Sequence, residues 1–250
     1  MNRIDFFANT DVGKVRKNND DQSFAAQSVN GFNTIGIVCD GMGGEARGDY
    51  ASKLAIDIIS EKFNSAGFLY KYFPTRWFRR ILNLINKTVF DFGDRNEEYT
   101  RMGTTFVGAL LRRDKLIIAN VGDSRCYLST SQGLRQITTD QTYVEFLYKT
   151  GQIAKNQIDA HPKKHVLMNA IGSFPSINVD VFSLNYGQET IMLCSDGLYN
   201  AVSESEIWAV LESDRDAETK TKLLIQLANH NGGPDNISIC IIQPGGTKDD

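Results

Sequence analysis

Two apolar, strand-like runs in this chain each lead into an aspartate that is followed directly by glycine. The first is VCDGMGG, Val38 to Gly44, and the second is LCSDG, Leu193 to Gly197. A third aspartate, Asp235, stands just ahead of the apolar run ISICII. An ionised carboxylate at the end of a buried strand is costly unless a cation accompanies it. The chain must therefore fold so that several buried strands carry carboxylates at their ends.

The residues beside these aspartates indicate what accompanies the charge. No matching number of lysine or arginine residues flanks Asp40, Asp196 or Asp235. Carboxylates that are brought together without counter-charges indicate hard divalent cations held by oxygen, namely Mg²⁺ or Mn²⁺. Gly41 would let its backbone carbonyl approach such an ion, and the glycines after it would turn the chain into a helix that begins near Asp49.

Two further acidic turns add to the pattern, RKNNDD at Arg16–Asp21 and GDSR at Gly122–Arg125. Each acidic turn alone also fits an ordinary reverse turn, because aspartate and glycine are common turn residues. It is the recurrence of acidic turns beside strand ends that favours a metal site.

Composition excludes several other classes of protein. The chain has 250 residues, a net charge of −3 and no apolar run near the length of a membrane span. We expect no general attraction to nucleic acid or to an anionic membrane. The first residues, MNRIDFFANTD, lack the apolar core of a secretory signal, so a cytoplasmic protein is expected. The cysteines lie far apart in apolar runs, which predicts buried free thiols at Cys39, Cys126, Cys194 and Cys240.

The order of predicted elements indicates the fold class. Helical periodicity predicts two long helices, YASKLAIDIISEKF and FRRILNLINKTVFDF, between strand-rich blocks. SESEIWAVLE opens with the capping pair Ser203 and Glu206, and TKTKLLIQLANH predicts a last amphipathic helix before a closing strand. Because strands and helices do not alternate regularly, the chain is predicted to be α+β with antiparallel sheet. The basic cluster Lys71, Arg76, Arg79 and Arg80 is interpreted as a solvated helix face rather than a docking patch.

The motifs resemble, in order and over nearly the full length, those of the bacterial PPM (PP2C-type) metal-dependent protein serine/threonine phosphatases. The matching segments are TDVGKVRKNNDD, VCDGMGGEARGDYAS, MGTTFVGALL, NVGDSRCYL, ITTDQT, HPKKHVLMNAIG, LCSDGLYNAVSESEI and GGPDNISICII. The resemblance implies a central sandwich of two antiparallel β-sheets flanked by helices on both outer faces. It also implies a single domain over residues 1–250, with a flap near residues 139–172.

The resemblance assigns the metal ligands. Asp40 matches the aspartate that bridges two tightly bound ions, and Gly41 matches the carbonyl ligand. Asp196 and Asp235 match the remaining aspartates that bind these two ions. Asp123, together with Asp196, matches the residues that hold a third, looser ion in bacterial members.

Two further residues match functional positions near the ions. Arg16 matches the phosphate-binding arginine, and Asp21 matches the acidic residue that supports the metal-bound waters. The alternative for Arg16 is that it only neutralises the adjacent carboxylates of Asp20 and Asp21. Direct hydrolysis by metal-activated water is implied, without a covalent nucleophile.

The chain departs from the family pattern at four positions. Asp20 stands where Glu or Gln is usual, so its reach to a metal-bound water is shorter. Met42 stands where animal members have a proposed acid histidine, as is usual in bacterial members. Gln141 replaces a common His and Asn169 a frequent Arg, which leaves the behaviour of the flap and substrate choice open.

The expected partners are phosphorylated proteins, among them a cognate Ser/Thr kinase and its substrates, and the protein is expected to be a monomer. The main alternative is a catalytically inactive member of the fold that binds phosphoproteins. Inactive members usually lose a metal aspartate, whereas Asp40, Asp123, Asp196 and Asp235 are all present. A cysteine phosphatase is disfavoured because no CxxxxxR loop occurs, and a His-based zinc hydrolase because the chain has three histidines.

Overall fold

A computed structural model describes residues 3–29, 31–43, 47–65, 70 and 72–245. Its strands are β1 (Ile4–Asp11), β2 (Asp21–Gln27), β3 (Asn33–Met42), β4 (Gly103–Thr104), β5 (Phe106–Arg112), β6 (Lys115–Val121), β7 (Arg125–Thr130), β8 (Gly133–Gln136), β9 (Asp180–Asn185), β10 (Thr190–Cys194) and β11 (Ile237–Pro244). Its helices include α1 (Gly48–Asn64), α2 (Pro74–Arg95), α3 (Tyr143–Lys149), α4 (Asp196–Tyr199), α5 (Glu204–Leu211) and α6 (Ala217–His230).

The strands form two antiparallel sheets. One has the order β1-β11-β10-β7-β8, and the other has the order β2-β3-β5-β6-β9 with β4 paired to β3. Apolar side chains of the two sheets meet in a middle layer, to which Val38 and Val107 contribute from one sheet and Leu193 and Ile242 from the other. The alternation of side chains along a strand leaves a second apolar face on each sheet.

Helices cover these outer faces. Helices α1 and α2 pack against β3, β5 and β6 around Phe78, Ile85 and Phe106, all of which are fully buried. Helices α5 and α6 pack against the other sheet around Ile207 and Leu224. The prediction of an α+β sandwich with helices on both outer faces is therefore confirmed.

Local signals start the helices where the sequence predicts them. Pro74 occupies the first turn of α2, where its missing N–H leaves no hydrogen bond unmade. Ser203 and Glu206 form the predicted capping box at the start of α5. The aromatic residues beside the basic cluster, Trp77 and Phe78, are buried in the core, and Lys71 of that cluster lies outside the described residues.

Two positions differ from the prediction. Asp40 does not end its strand, because Gly41 and Met42 continue β3 by pairing with Thr104 and Gly103 of β4. Asp196 lies beyond its strand and opens α4, since β10 already ends at Cys194.

The segment between β8 and β9 contains α3, which the sequence analysis did not predict, and an isolated bridge between Thr142 and Leu167. Thr142 caps α3 by accepting a hydrogen bond from the backbone N–H of Glu145. Within the described ranges, no helix has the length and apolar character needed to cross a bilayer.

Candidate metal centre

The predicted site residues converge on one cleft at an end of the sandwich. Asp21 and Asp40 come from β2 and β3 of one sheet, whereas Asp196 and Asp235 lie just after β10 and just before β11 of the other. Asp123 lies in the connection that passes from β6 to β7 and so crosses between the sheets. The cleft has a volume of about 940 Å³, and the predicted site residues that line it are Arg16, Asp40, Gly41, Asp123, Asp196 and Asp235.

Burial and crowding raise the pKa of four of the carboxyl groups, those of Asp21, Asp40, Asp123 and Asp196. Burial of the carboxyl group raises the pKa of Asp40 well above its usual value, and the charges of Asp21, Asp196 and Asp123 add to the effect. Burial raises the pKa of Asp21 to about 7 and that of Asp123 to about 8. The pKa of Asp196 is also raised, first by burial and then by Asp235. Without a cation, the site therefore favours protonated over charged carboxyl groups.

The donor set fits a divalent cation that prefers oxygen. Among the described residues, Asp20 Oδ1 and Asp21 Oδ2 are buried without a hydrogen-bond partner. In the same residues, no group of three or more His, Cys, Asp or Glu side chains is already arranged to hold a metal ion. An open set of carboxylates suits Mg²⁺ and similar ions, which keep part of their water shell.

Gly41 is confined by its surroundings. A Cβ atom at this position would collide with the carbonyl oxygens of Gly48 and Asp20. The N–H of Gly41 donates to the Asp20 carbonyl at 3.1 Å, and the Ser52 hydroxyl donates to the same carbonyl at 2.6 Å. The start of α1 therefore packs directly on the ligand-bearing end of β3, which explains the glycine there.

Arg16 contacts Asp235 rather than Asp20 or Asp21, the aspartates that lie near it in the sequence. Its Nη2 atom lies 2.9 Å from Asp235 Oδ2, and its side chain is 57% exposed. The hydrogen bond that Arg16 donates to the Asp235 carboxylate raises the pKa of the guanidinium. Arg16 thus reaches the cleft and has donors left for a phosphate. Under the alternative, in which Arg16 only neutralises a carboxylate, that carboxylate is Asp235.

Asn236 joins the two acidic loops, although the sequence analysis gave it no role. Its Oδ1 atom accepts a 2.9 Å hydrogen bond from the N–H of Asp20. Its Nδ2 group donates to the carbonyl oxygens of Val12 and Asn18, both at 2.9 Å. The segment PDN, Pro234 to Asn236, therefore supplies Asp235 and also fixes the loop that carries Arg16 and Asp20.

Thr105, which lies between β4 and β5, supports Asp40. The hydroxyl of Thr105 accepts a 2.9 Å bond from the Asp40 N–H, and its own N–H donates to the Asp40 carbonyl at 2.8 Å. The same hydroxyl lies 2.6 Å from that of Ser124, which follows Asp123. The backbones at Asp40 and Asp123 are thereby held to one another.

An arginine stack fixes the far side of Asp123. Arg125 forms hydrogen bonds through Nε and Nη2 with the carboxylate of Asp140, the shortest at 2.7 Å. Its guanidinium lies 3.6 Å from the centroid of the Tyr199 ring, a cation–π contact. The Tyr199 hydroxyl in turn donates to the Asp123 carbonyl at 3.2 Å. Sequence reasoning did not find Tyr199, because a tyrosine in a short helix carries no distinctive pattern.

Two further residues reach Asp196 from the rim of the cleft. Asn200 Nδ2 donates to Asp196 Oδ2 at 3.1 Å, and His165 Nδ1 lies 3.8 Å from the same oxygen. His165 falls within the predicted flap, and the structure places it at the wall of the cleft. Met42 also lines this wall, so the usual bacterial residue occupies the place of the proposed acid histidine.

The cysteines do not contribute to the cleft. All four are free and buried, as predicted. Burial raises the pKa of Cys194 and of Cys240 to about 12, so neither is a reactive thiolate near neutral pH.

An antiparallel sandwich with an open carboxylate cluster and an arginine at one end defines a hydrolase that acts on phosphate esters with divalent ions. The family profile of Protein phosphatase 2C matches residues 14–228. The chain therefore belongs to the protein phosphatase 2C family, and it is a metal-dependent serine/threonine protein phosphatase.

Relatives of known structure and activity agree with this assignment. The chain is 36% identical over 236 residues to the serine/threonine phosphatase stp of Listeria monocytogenes, covering 94% of this chain and 93% of that protein. The crystal structure of serine/threonine phosphatase Stp1 from Staphylococcus aureus superposes with a TM-score of 0.89 at 32% identity, covering 98% of this chain and 96% of that one. The catalytic domain of the phosphatase PstP in complex with two manganese ions has a TM-score of 0.82 at 28% identity, covering 96% and 97%.

Proposed function

We propose that the cleft is the active centre and that it hydrolyses phosphoserine and phosphothreonine in proteins at a binuclear Mn²⁺ or Mg²⁺ centre. Asp40, the Gly41 carbonyl, Asp196 and Asp235 would hold the two ions. Asp123, with Asp196, would hold a third and looser one. The single observation that carries the proposal is the convergence of five aspartates on one cleft, where the described basic side chains are those of Arg16, Lys164 and His165.

The chain's own residues orient the substrate. Bound divalent ions supply a Lewis acid and a water of lowered pKa. Arg16 is mostly exposed at the mouth of the cleft, where its planar guanidinium can donate two parallel hydrogen bonds to phosphoryl oxygens. Asp21 is 1% exposed and lies opposite Asp40 on the adjacent strand, so it would support the metal-bound waters rather than touch the substrate. The cysteines are buried thiols and would not serve as nucleophiles, and a metal-activated water would make a protein nucleophile unnecessary.

The proposed substrates are phosphorylated proteins, among them those of a cognate Ser/Thr kinase. The PstP structure with two manganese ions supports the choice of metal, and the relatives named as serine/threonine phosphatases support the class of substrate. We further propose that residues 1–250 act as one domain with a flap at residues 139–172.

A phosphothreonine peptide tests the proposal. We expect the purified chain to release phosphate with added Mn²⁺, to lose this activity after exhaustive chelation, and to regain it when Mn²⁺ is restored. Reagents that modify cysteine should leave the rate unchanged. An inactive phosphoprotein-binding member would bind the peptide without turnover, and that result would refute the proposed reaction.

A further inference from the structure

The two flap residues that depart from the family pattern contact one another. Asn169 Nδ2 donates a 2.6 Å hydrogen bond to Gln141 Oε1, although the residues lie 28 positions apart. We propose that Gln141 and Asn169 form an amide clasp that closes the base of the flap and positions the turn before Asp123. Both are positioning residues for the reaction, and this inference rests on the proposed function.

Asn169 is fixed from its other side by the segment that leads to β9. Its Nδ2 group also donates to the Asn178 carbonyl at 2.7 Å, and its Oδ1 atom accepts from the Asn178 N–H at 3.3 Å. The side chain thus uses both its donor and its acceptor, so its amide orientation is defined.

Gln141 joins the flap to the turn that carries Asp123. Its Oε1 atom accepts a 2.8 Å hydrogen bond from the Gly122 N–H, and its own N–H donates to the Gly122 carbonyl at 3.0 Å. Its Nε2 group donates to Asp180 Oδ2 at 2.9 Å. Because a carboxylate only accepts hydrogen bonds, Asp180 directs the Gln141 oxygen towards Gly122 and Asn169.

Gly122 transmits this contact to the metal centre. Its φ angle is +102°, and a Cβ atom there would lie 2.8 Å from Thr105 Cγ2. The turn therefore packs tightly against Thr105, whose hydroxyl and N–H bond to the backbone of Asp40. A change at Gln141 should therefore shift Asp123 relative to Asp40.

The clasp also determines how the flap lies over the cleft. The Met168 N–H donates to the Gln141 carbonyl at 2.9 Å, and the Tyr143 N–H donates to the Val166 carbonyl at 2.8 Å. The flap residues that line the cleft are Lys164, His165, Val166 and Leu167. They directly precede Met168 and Asn169, so loosening the clasp should move the wall that faces a protein substrate.

The amide pair suits this role because neither side chain titrates. A guanidinium at position 169 could only donate hydrogen bonds, so it could not also accept from the Asn178 N–H. Gln141 and Asn169, the two departures from the family pattern in the flap, therefore complement one another in this chain.

The test compares Asn169→Ala and Gln141→Ala with Gln152→Ala in the Mn²⁺-loaded full chain. Gln152 is a matched control because it is an exposed flap residue whose side-chain amide donates to the Thr150 hydroxyl of the same flap, at 2.9 Å. Hydrogen exchange of flap amides would be followed by mass spectrometry. The kcat and KM values would be measured on a phosphorylated protein and on p-nitrophenyl phosphate.

We expect Asn169→Ala to speed exchange of flap amides about two- to tenfold, the range for one lost hydrogen bond. Its KM should rise more for the phosphorylated protein than for p-nitrophenyl phosphate, because only the protein contacts the flap. Gln141→Ala should in addition lower kcat for both substrates. Gln141→His should restore most of kcat, since an imidazole can accept from Gly122 and donate to Asp180.

Exchange rates and KM values in Asn169→Ala that equal those of Gln152→Ala would overturn the clasp. Loss of kcat without faster flap exchange would overturn it as well. If Gln141→Ala fails to fold, the Asn169→Ala comparison alone decides. A wild-type chain without turnover would contradict the proposed function, and the exchange measurements would still decide whether the clasp holds the flap.

Discussion

Asp21 and Asp40 are direct Cα partners across the antiparallel strands β2 and β3. Burial raises the pKa of Asp21 to about 7, and the charge of Asp21 is the largest contribution to the raised pKa of Asp40 after burial. Two buried carboxylates that lie this close repel one another. In the metal-free protein, the carboxyl groups of Asp21 and Asp40 should therefore hold protons near neutral pH.

This arrangement predicts how the stability of the metal-free protein depends on pH. The folded state binds protons more tightly than the unfolded state, whose carboxyl groups have a pKa near 3.8. Stability contributed by the protonated groups is therefore lost as pH rises to about 7 and 8, the folded pKa values of Asp21 and Asp123. Each unit by which the folded pKa of a group exceeds its unfolded pKa should lower Tm by about 3–5 °C once the pH has risen through that range. Thermal unfolding in chelator between pH 5 and 8.5 measures this. A Tm that stays level or rises would contradict it.

Asp40→Asn should fold and lose activity. An amide replaces the carboxylate that we assign to both ions, so turnover should fall more than about 100-fold, beyond the usual effect of an outer-shell change. Because the amide carries no charge and takes up no proton on folding, Tm in chelator at pH 8 should exceed that of the wild type. Thermal unfolding and phosphopeptide kinetics test both points, with Asp57→Asn on the exposed face of α1 as the control. Wild-type turnover at saturating Mn²⁺ would refute the assignment of Asp40.

Asp123→Ala should keep two tightly bound ions and slow turnover. Asp123 lies in the β6–β7 connection and is assigned only to the looser ion, whereas Asp40 and Asp235 lie on other elements. Calorimetric titration with Mn²⁺ gives the stoichiometry, and kcat on the same sample gives the rate. Loss of the tight pair would show that Asp123 has a different role.

Arg16→Ala should weaken the use of substrate without removing metal. A hydrogen bond to a charged partner contributes about 1.5–3 kcal/mol, equivalent to a loss of about 10- to 150-fold in kcat/KM. If the guanidinium binds ground and transition states alike, most of the loss appears in KM. Steady-state kinetics on a phosphothreonine peptide, with metal content measured in parallel, provides the test.

The contact between Arg16 and Asp235 keeps the alternative for Arg16 open to experiment. If Arg16 only neutralises Asp235, excess Mn²⁺ should fully restore the activity of Arg16→Ala. Unchanged kcat and KM would refute phosphate binding. Little change in Tm is expected, because the pair is largely exposed.

Local signals in the sequence were sufficient where one short segment determines the structure. The capping box of Ser203 and Glu206 and the apolar stripe of α2 predict helices that the structure contains. Thr142 and Glu145 carry the same kind of capping signal, and attention to it would have predicted α3.

Contacts between distant segments could not be read in this way. Neither the bond from the Asp20 N–H to Asn236 nor that from the Tyr199 hydroxyl to Asp123 has a local signature. The motif order brought Asp40, Asp196 and Asp235 together only through resemblance, because their spacing along the chain does not fix their spacing in the fold. Predicting the direct contact of Gln141 with Asn169 would likewise have required knowing how the segments of the flap align with one another.

Strand β11 lies in the interior of its sheet, between β1 and β10, and pairs with β1 over all eight residues of that strand. Asp235 and Asn236 stand immediately before it. On the ribosome, β1 must therefore wait without its partner until Pro244 has left the exit tunnel. The cleft lacks one acidic loop until the same moment, so the phosphatase should become active only after synthesis of β11 is complete. A nascent chain should then be unable to act on phosphoproteins before β11 has emerged.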